Sequence, residues 1–199
     1  MTKVYFVRHA EPVHAHEDDR TRPLTNEGLA DRKIVLETLK DKEIHVFYCS
    51  PYLRSMATIE EAAAYFNKEI HTDERLRERE KGREGNSSDN LLKMRWADFS
   101  FHEDGGESIG MVQERNMEAL REILSANEGK NIVIGTHGTA LSSILNYYNR
   151  SFNCDDFLRI VDWMPYIIEL DFEGYDCVGE KEHAYVEKTF PERMASFKK

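Results

Sequence analysis

Asn131-Ile132-Val133-Ile134-Gly135-Thr136-His137-Gly138-Thr139-Ala140-Leu141 changes period in mid-course. The apolar run Ile132–Ile134 predicts a short buried strand. Gly138 then opens a helix in which Leu141, Ile144, Leu145 and Tyr148 recur at i, i+3, i+4 and i+7. His137 stands where strand gives way to helix. The same grammar recurs upstream. Val4 to Val7 reads as a buried strand and runs into Arg8-His9-Ala10-Glu11. Ile44 to Cys49 reads as another, followed at once by Ser50-Pro51, an N-cap with proline at the first helical position. Met56, Ile59, Ala63 and Phe66 then share one helical face. Strands alternating with helices predict an α/β fold, its sheet mostly parallel and covered by helices on both faces.

The rest of the chain fits around that frame. Thr25 offers an N-cap to a helix bearing Leu29, Val35, Leu36 and Leu39 on one face. Residues 69 to 72 read as a third short strand. Ser108 caps a helix that buries Met117, Leu120 and Leu124, and Tyr166 to Phe172 reads as a late strand. The last 25 or so residues carry no clear period. Residues 73 to 107 break the rhythm with charged side chains and Gly82, Gly85, Gly105 and Gly106. They read as an insertion or lid within one domain spanning 1–199, with a short helix around Leu91 to Trp96.

Composition narrows the function classes. The chain has 199 residues, 40% of them hydrophobic, which suits one packed domain and excludes a wholly disordered one. Its net charge of −10 repels nucleic acid and anionic membranes, although a local pocket can still hold one anion. No window approaches the roughly 20 apolar residues of a membrane span. Cys49, Cys154 and Cys177 are few and odd in number, as expected of a reducing, cytoplasmic setting.

Ligands of open α/β sheets bind beyond the carboxyl ends of the strands. That rule brings Arg8, His9, Arg54 and His137 toward one place, beside two helix N-termini that favour an anion. Two arginines suit the oxygens of a phosphate group. A neutral imidazole is a competent nucleophile toward phosphorus, and a second, protonated imidazole would stabilise charge on the transferring group. A carboxylic acid would protonate the leaving alkoxide. Residues 73 to 84 hold five acids and five bases, and Glu74, Glu78, Glu80 and Glu84 all stay open for that task.

Arg8-His9-Ala10-Glu11 resembles the Arg-His-Gly/Ala-Glu signature of the histidine phosphatase superfamily, which includes the cofactor-dependent phosphoglycerate mutases. Further pieces follow in the family's order. They are Pro23-Leu24-Thr25-Asn26-Glu27-Gly28, Ser50 to Thr58 with Arg54 between, Leu76-Arg77-Glu78 with Gly82 and Glu84-Gly85, Gly106-Glu107-Ser108, and Thr136-His137-Gly138. The resemblance implies a three-layer α/β/α sandwich and no metal, and no cofactor is expected. It implies that His9 accepts the phosphoryl group and that Arg8, Arg54 and His137 hold its oxygens. Glu78 becomes the proton donor, Gly138 lies at the phosphate, and Glu107 and Ser108 border it. Ser108 is equally a plain helix cap.

The expectation is therefore a metal-independent phosphatase acting on a small phosphorylated metabolite. Ala15 stands where mutases of the family carry asparagine, which favours hydrolysis. A phosphoglycerate-type mutase and a catalytically silent binder of phospho-ligands stay open as alternatives, as does a homodimer. A two-histidine, one-carboxylate metal site is disfavoured by the arginines beside it. His14 and His16 read as exposed or as the pocket mouth. Trp96, Phe99, Phe101 and His102 read equally as a cover for the substrate or as packing of the insertion.

Overall fold

A computed structural model describes residues 1–83 and 89–190. Strands β1 (Thr2–Arg8), β2 (Val46–Cys49), β3 (Ile70–Thr72), β4 (Asn131–Thr136), β5 (Trp163–Glu173) and β6 (Asp176–Glu187) form one sheet, in the order β3-β2-β4-β1-β5-β6. β3, β2, β4 and β1 run parallel, and β5 and β6 add an antiparallel hairpin at one side. The helices are α1 (Asn26–Asp31), α2 (Lys33–Leu39), α3 (Leu53–Tyr65), α4 (Asp89–Ala97), α5 (Ile109–Ala126), α6 (Gly138–Tyr148) and α7 (Cys154–Ile160).

Side-chain alternation along the central strands creates the three layers. Val4 and Phe6 of β1, with Ile132 and Ile134 of β4, face a core shared with α5, α6 and α7. Tyr5, Val7 and Val133 face the other core, closed by Val35 and Leu39 of α2 and Ile59, Ala62 and Ala63 of α3. These strands are covered on both faces, so they read as continuous apolar runs in the sequence.

Several elements differ from expectation. Ser50 does not cap a helix. Tyr52 is the N-cap of α3 and Leu53 its first residue. The hydroxyl of Ser50 accepts from the Tyr52 amide at 3.3 Å and meets His137, so the chain makes one more turn before the helix begins. The helix after Thr25 breaks at Arg32 into α1 and α2. α7 and β6 carry no strong apolar period: α7 is a short helix started by the Asn153–Asp156 capping box, and β6 is a half-exposed edge strand. The turn into β6 uses Gly174 at φ 61, glycine being the residue that takes the first central position of a two-residue hairpin loop.

The segment 73–107 carries a single 3₁₀ turn (Glu74–Leu76) and α4 among its described residues. Trp96 belongs to the core, against Phe99, Phe152 and Phe157 at ring distances of 5.8, 5.9 and 5.7 Å, so these aromatics pack the segment down. Arg79 and Arg95 share the buried carboxylate of Glu103 beneath it. Glu84-Gly85 lie outside the described residues.

Candidate active site

β2, β4 and β1 lie side by side and end in register, Cys49 opposite Gly135 and Arg8 opposite Thr136. The next residue of each strand is Ser50, His137 and His9. Three distant parts of the chain therefore deliver their polar side chains to one row. The rings of His9 and His137 stand 5.3 Å apart, both buried.

Nδ1 of His9 lies 2.8 Å from the carbonyl oxygen of Ala10. A carbonyl can only accept, so Nδ1 carries the proton and Nε2 keeps its lone pair. Burial, and then the charges of Arg54 and Arg8, hold His9 well below the ordinary imidazole range. His137 is held down in the same way by burial, Arg54, His9 and Arg8. Two guanidinium groups beside a buried ring thus disfavour the further positive charge expected of a protonated His137. Nε2 of His137 meets the Ser50 hydroxyl at 2.7 Å, while Nδ1 is buried with no hydrogen-bond partner among the described residues.

Arg8 ends β1 and donates from Nη1 to the carbonyl of Ile160 at the end of α7, 2.7 Å away. Its guanidinium lies across the first turn of α6. A Cβ at Gly138 would come within 3.2 Å of it, so a larger residue there would press on the guanidinium. Arg54, in the first turn of α3, donates to the Asp19 carbonyl at 2.5 Å and to its carboxylate at 3.3 Å. The face of Tyr52 lies 5.0 Å from the Arg54 guanidinium, and its edge meets His137 at 5.1 Å. One turn further along α3, Thr58 donates to the Arg54 carbonyl at 2.7 Å and accepts from the Ala10 amide at 2.9 Å. This ties the residue after His9 to the helix that carries Arg54.

Glu78 reaches the amino end of α6. Its carboxyl oxygens accept from Thr139 and Ala140 amides at 3.1 Å each, and from its neighbour Arg79 at 2.8 Å. Of the acids left open by sequence, Glu74 instead pairs with Arg20 and Glu80 points to solvent. Glu84 is among the residues not described.

The structure thus brings Arg8, His9, Arg54, Glu78, His137 and Gly138 together. It engages Glu107 and Ser108 elsewhere. Glu107 accepts from Arg77 and twice from Arg115, and Ser108 caps α5 by accepting from the Met111 amide at 3.1 Å. Glu11 accepts from Thr25 at 3.2 Å and pairs with Lys188 at 3.3 Å. His14 meets the ring of Phe190 at 5.1 Å. Ser50, Asp19 and Arg115 escaped sequence reasoning as members of the site. Asp19 and Arg115 act across 35 and 38 residues respectively, and no local pattern announces such contacts.

Residues 4–176 match the family model of the histidine phosphatase superfamily (branch 1). A 2,3-bisphosphoglycerate-dependent phosphoglycerate mutase of Thermoplasma acidophilum is 30% identical over 130 residues, which are 63% of this chain and 62% of that protein. The match thus spans less than two thirds of that relative's length. Phosphoserine phosphatase 1 of Hydrogenobacter thermophilus is 26% identical over 150 residues, 69% of this chain and 71% of its own. Solved structures that share the fold include the following two. Bacillus stearothermophilus YhfR has a TM-score of 0.74 at 22% identity, covering 89% of this chain and 94% of its own. A phosphoserine phosphatase of Entamoeba histolytica also has 0.74, at 20% identity, covering 93% and 96%. Among the described residues no helix is long and apolar enough to cross a membrane.

Proposed function

The chain belongs to the histidine phosphatase superfamily, and from that membership we propose that it hydrolyses a small phosphomonoester through a covalent phosphohistidine on His9. The observation that carries this reading is the geometry of His9: its Nδ1 donates to the Ala10 carbonyl, which leaves the lone pair on Nε2, and the ring is buried beside Arg8, Arg54 and His137.

In the first half of the cycle the Nε2 lone pair attacks phosphorus and the phosphorus–oxygen ester bond breaks. The departing alkoxide takes a proton from the Glu78 carboxyl group. Arg8 and Arg54 hold the transferring oxygens. If the Ser50 hydroxyl donates to His137 Nε2, Nδ1 of that ring carries a proton and can donate to a phosphoryl oxygen while staying neutral. In the second half, Glu78 takes a proton from water and the resulting hydroxide attacks phosphorus. The phosphorus–nitrogen bond breaks, returning neutral His9 and releasing inorganic phosphate. The hydrogen bonds that the Glu78 carboxyl group makes among the described residues are all accepted from backbone amides, which suits the base that this second half needs.

The test is phosphate release from p-nitrophenyl phosphate, phosphoserine and 3-phosphoglycerate, with labelled protein trapped by an alkaline denaturing quench, because the phosphorus–nitrogen bond of phosphohistidine survives base and hydrolyses in acid. Wild type should turn over at least one ester and trap phosphate on His9, and His9→Ala should lose both while staying folded. Turnover that persists in His9→Ala would sink the mechanism. Movement of phosphate between hydroxyls of one substrate, without release, would make the protein a mutase.

A further inference from the structure

We infer that Arg115 is the positioning residue of Glu78: its guanidinium holds the backbone that presents this carboxyl group, and so governs how well the leaving group receives its proton. The inference rests on the reading of Glu78 as proton donor.

Residues 77–83 contain no helix or strand, so no ladder of backbone hydrogen bonds holds them. Arg115 supplies that hold from α5, its side chain only 12% exposed. Nη1 donates to the carbonyls of Arg75 and Arg77 at 2.6 and 2.8 Å, and Nη2 to the carbonyl of Glu78 itself at 3.1 Å. Nε and Nη2 also grip Glu107, at 2.9 and 2.8 Å. Glu107 completes the clamp. Its carboxylate accepts from the Glu80 amide at 2.9 Å and from Arg77 at 2.8 Å, and its own amide donates to the Glu80 carbonyl at 3.0 Å. The backbone on both sides of Glu78 is therefore fastened by one ion pair. A planar five-donor fork can meet so many oxygens in fixed directions, and an ammonium cannot.

A proton donor works only within hydrogen-bond reach of the leaving oxygen, and a misplacement of about 1 Å can cost about 100-fold in rate. His9, Arg8, Arg54 and His137 are held by other partners, namely Ala10, Ile160, Asp19 and Ser50. Loosening Arg115 should therefore harm protonation and spare phosphate binding.

The test compares Arg115→Met and Glu107→Gln with Glu78→Gln. Each is assayed as kcat/KM, which ends with departure of the leaving group and so leaves out the water-activating half of the cycle, on an alkyl phosphate, whose alkoxide needs a proton, and on p-nitrophenyl phosphate, whose phenolate scarcely does. Inhibition by inorganic phosphate reports the oxyanion pocket. Arg115→Met and Glu107→Gln should slow the alkyl ester about 10- to 100-fold and the aryl ester less than about threefold, with phosphate inhibition unchanged. Adding Arg115→Met to Glu78→Gln should cost little more. If Arg115→Met does not fold, Glu107→Gln, which keeps the side-chain shape, carries the comparison alone. Equal slowing of both esters, weakened phosphate inhibition, or losses that multiply in the double variant would overturn the positioning role. Equal slowing in Glu78→Gln itself would overturn the reading of Glu78, and the inference with it. A leaving-group preference in Glu78→Gln that neither Arg115→Met nor Glu107→Gln reproduces would overturn the inference alone.

Discussion

At the residue scale, burial decides the chemistry of the two histidines. An imidazole in water takes up a proton near pH 6.5, but His9 and His137 are buried beside two fixed positive charges. A lowered folded-state value keeps Nε2 of His9 nucleophilic below that pH. The acid limb of kcat/KM should accordingly fall below pH 6.5, and the ring signals of both histidines should not titrate through that range in NMR spectra. A limb at 6.5 that moves with His9 would contradict the neutral pocket. The same shift has a cost in stability with a definite sign. As pH drops below about 6.5 the unfolded chain binds protons at these two positions and the folded protein does not, so stability falls with falling pH in that window.

At the scale of elements, the motif pieces prove to be braces as much as reagents. Thr25 caps α1 by accepting from the Gly28 amide at 2.9 Å, while its own amide donates to the Glu11 carbonyl at 2.9 Å. Gly28 sits so close to that loop that a Cβ would lie 2.3 Å from the Glu11 carbonyl oxygen. Gly28→Ala should therefore push the loop after His9 away. We expect a loss of about 1–3 kcal/mol in denaturant unfolding, together with reduced turnover. Wild-type stability with full activity would show that the loop yields freely. Ser50, Arg54 and Thr58 follow the same logic, one turn apart, each gripping a different part of the pocket. This explains what was legible in the sequence. β1, β4 and α6 announced themselves through apolar periods, and His9, His137 and the two arginines through their places at element ends. Glu78 stood in a charged stretch whose local chemistry does not tell one acid from another. What selects it is the amino end of α6, sixty residues onward. Glu107 and Ser108 carry the signature of a site residue but serve as clamp and cap. β6 stayed illegible because an edge strand with half-exposed faces has no apolar alternation to show.

At the scale of the whole molecule, Lys188 fastens the far end of the chain to its beginning. Its ammonium group lies 3.3, 3.3 and 2.5 Å from the carboxylates of Glu11, Glu27 and Asp31. Burial opposes its charge, but the bonds to Asp31 and Glu11 prevail and hold its pKa above the ordinary value. A raised folded value gives stability that is fully present at neutral pH and is lost only as pH climbs through that value. Lys188→Met should leave three carboxylates facing one another and destabilise the fold by about 1.5–3 kcal/mol at pH 7. The deficit should shrink as pH falls toward the carboxylate range, and a deficit that does not depend on pH would show that packing, not charge, is what Lys188 contributes.

The position of β1 bears on how the protein is made. It is made before its partner strands, yet it lies inside the sheet, and its two neighbours come late: Lys3 pairs with Asn131 and with Asp171. On the ribosome the strand that ends in Arg8 and His9 emerges with both edges bare and must wait for most of the polypeptide before either is covered. Until then Val4–Val7 is an exposed, aggregation-prone segment that a chaperone would recognise. A nascent chain stalled before residue 131 holds the nucleophile but has nothing to orient it, so catalytic competence should arrive late in translation and all at once.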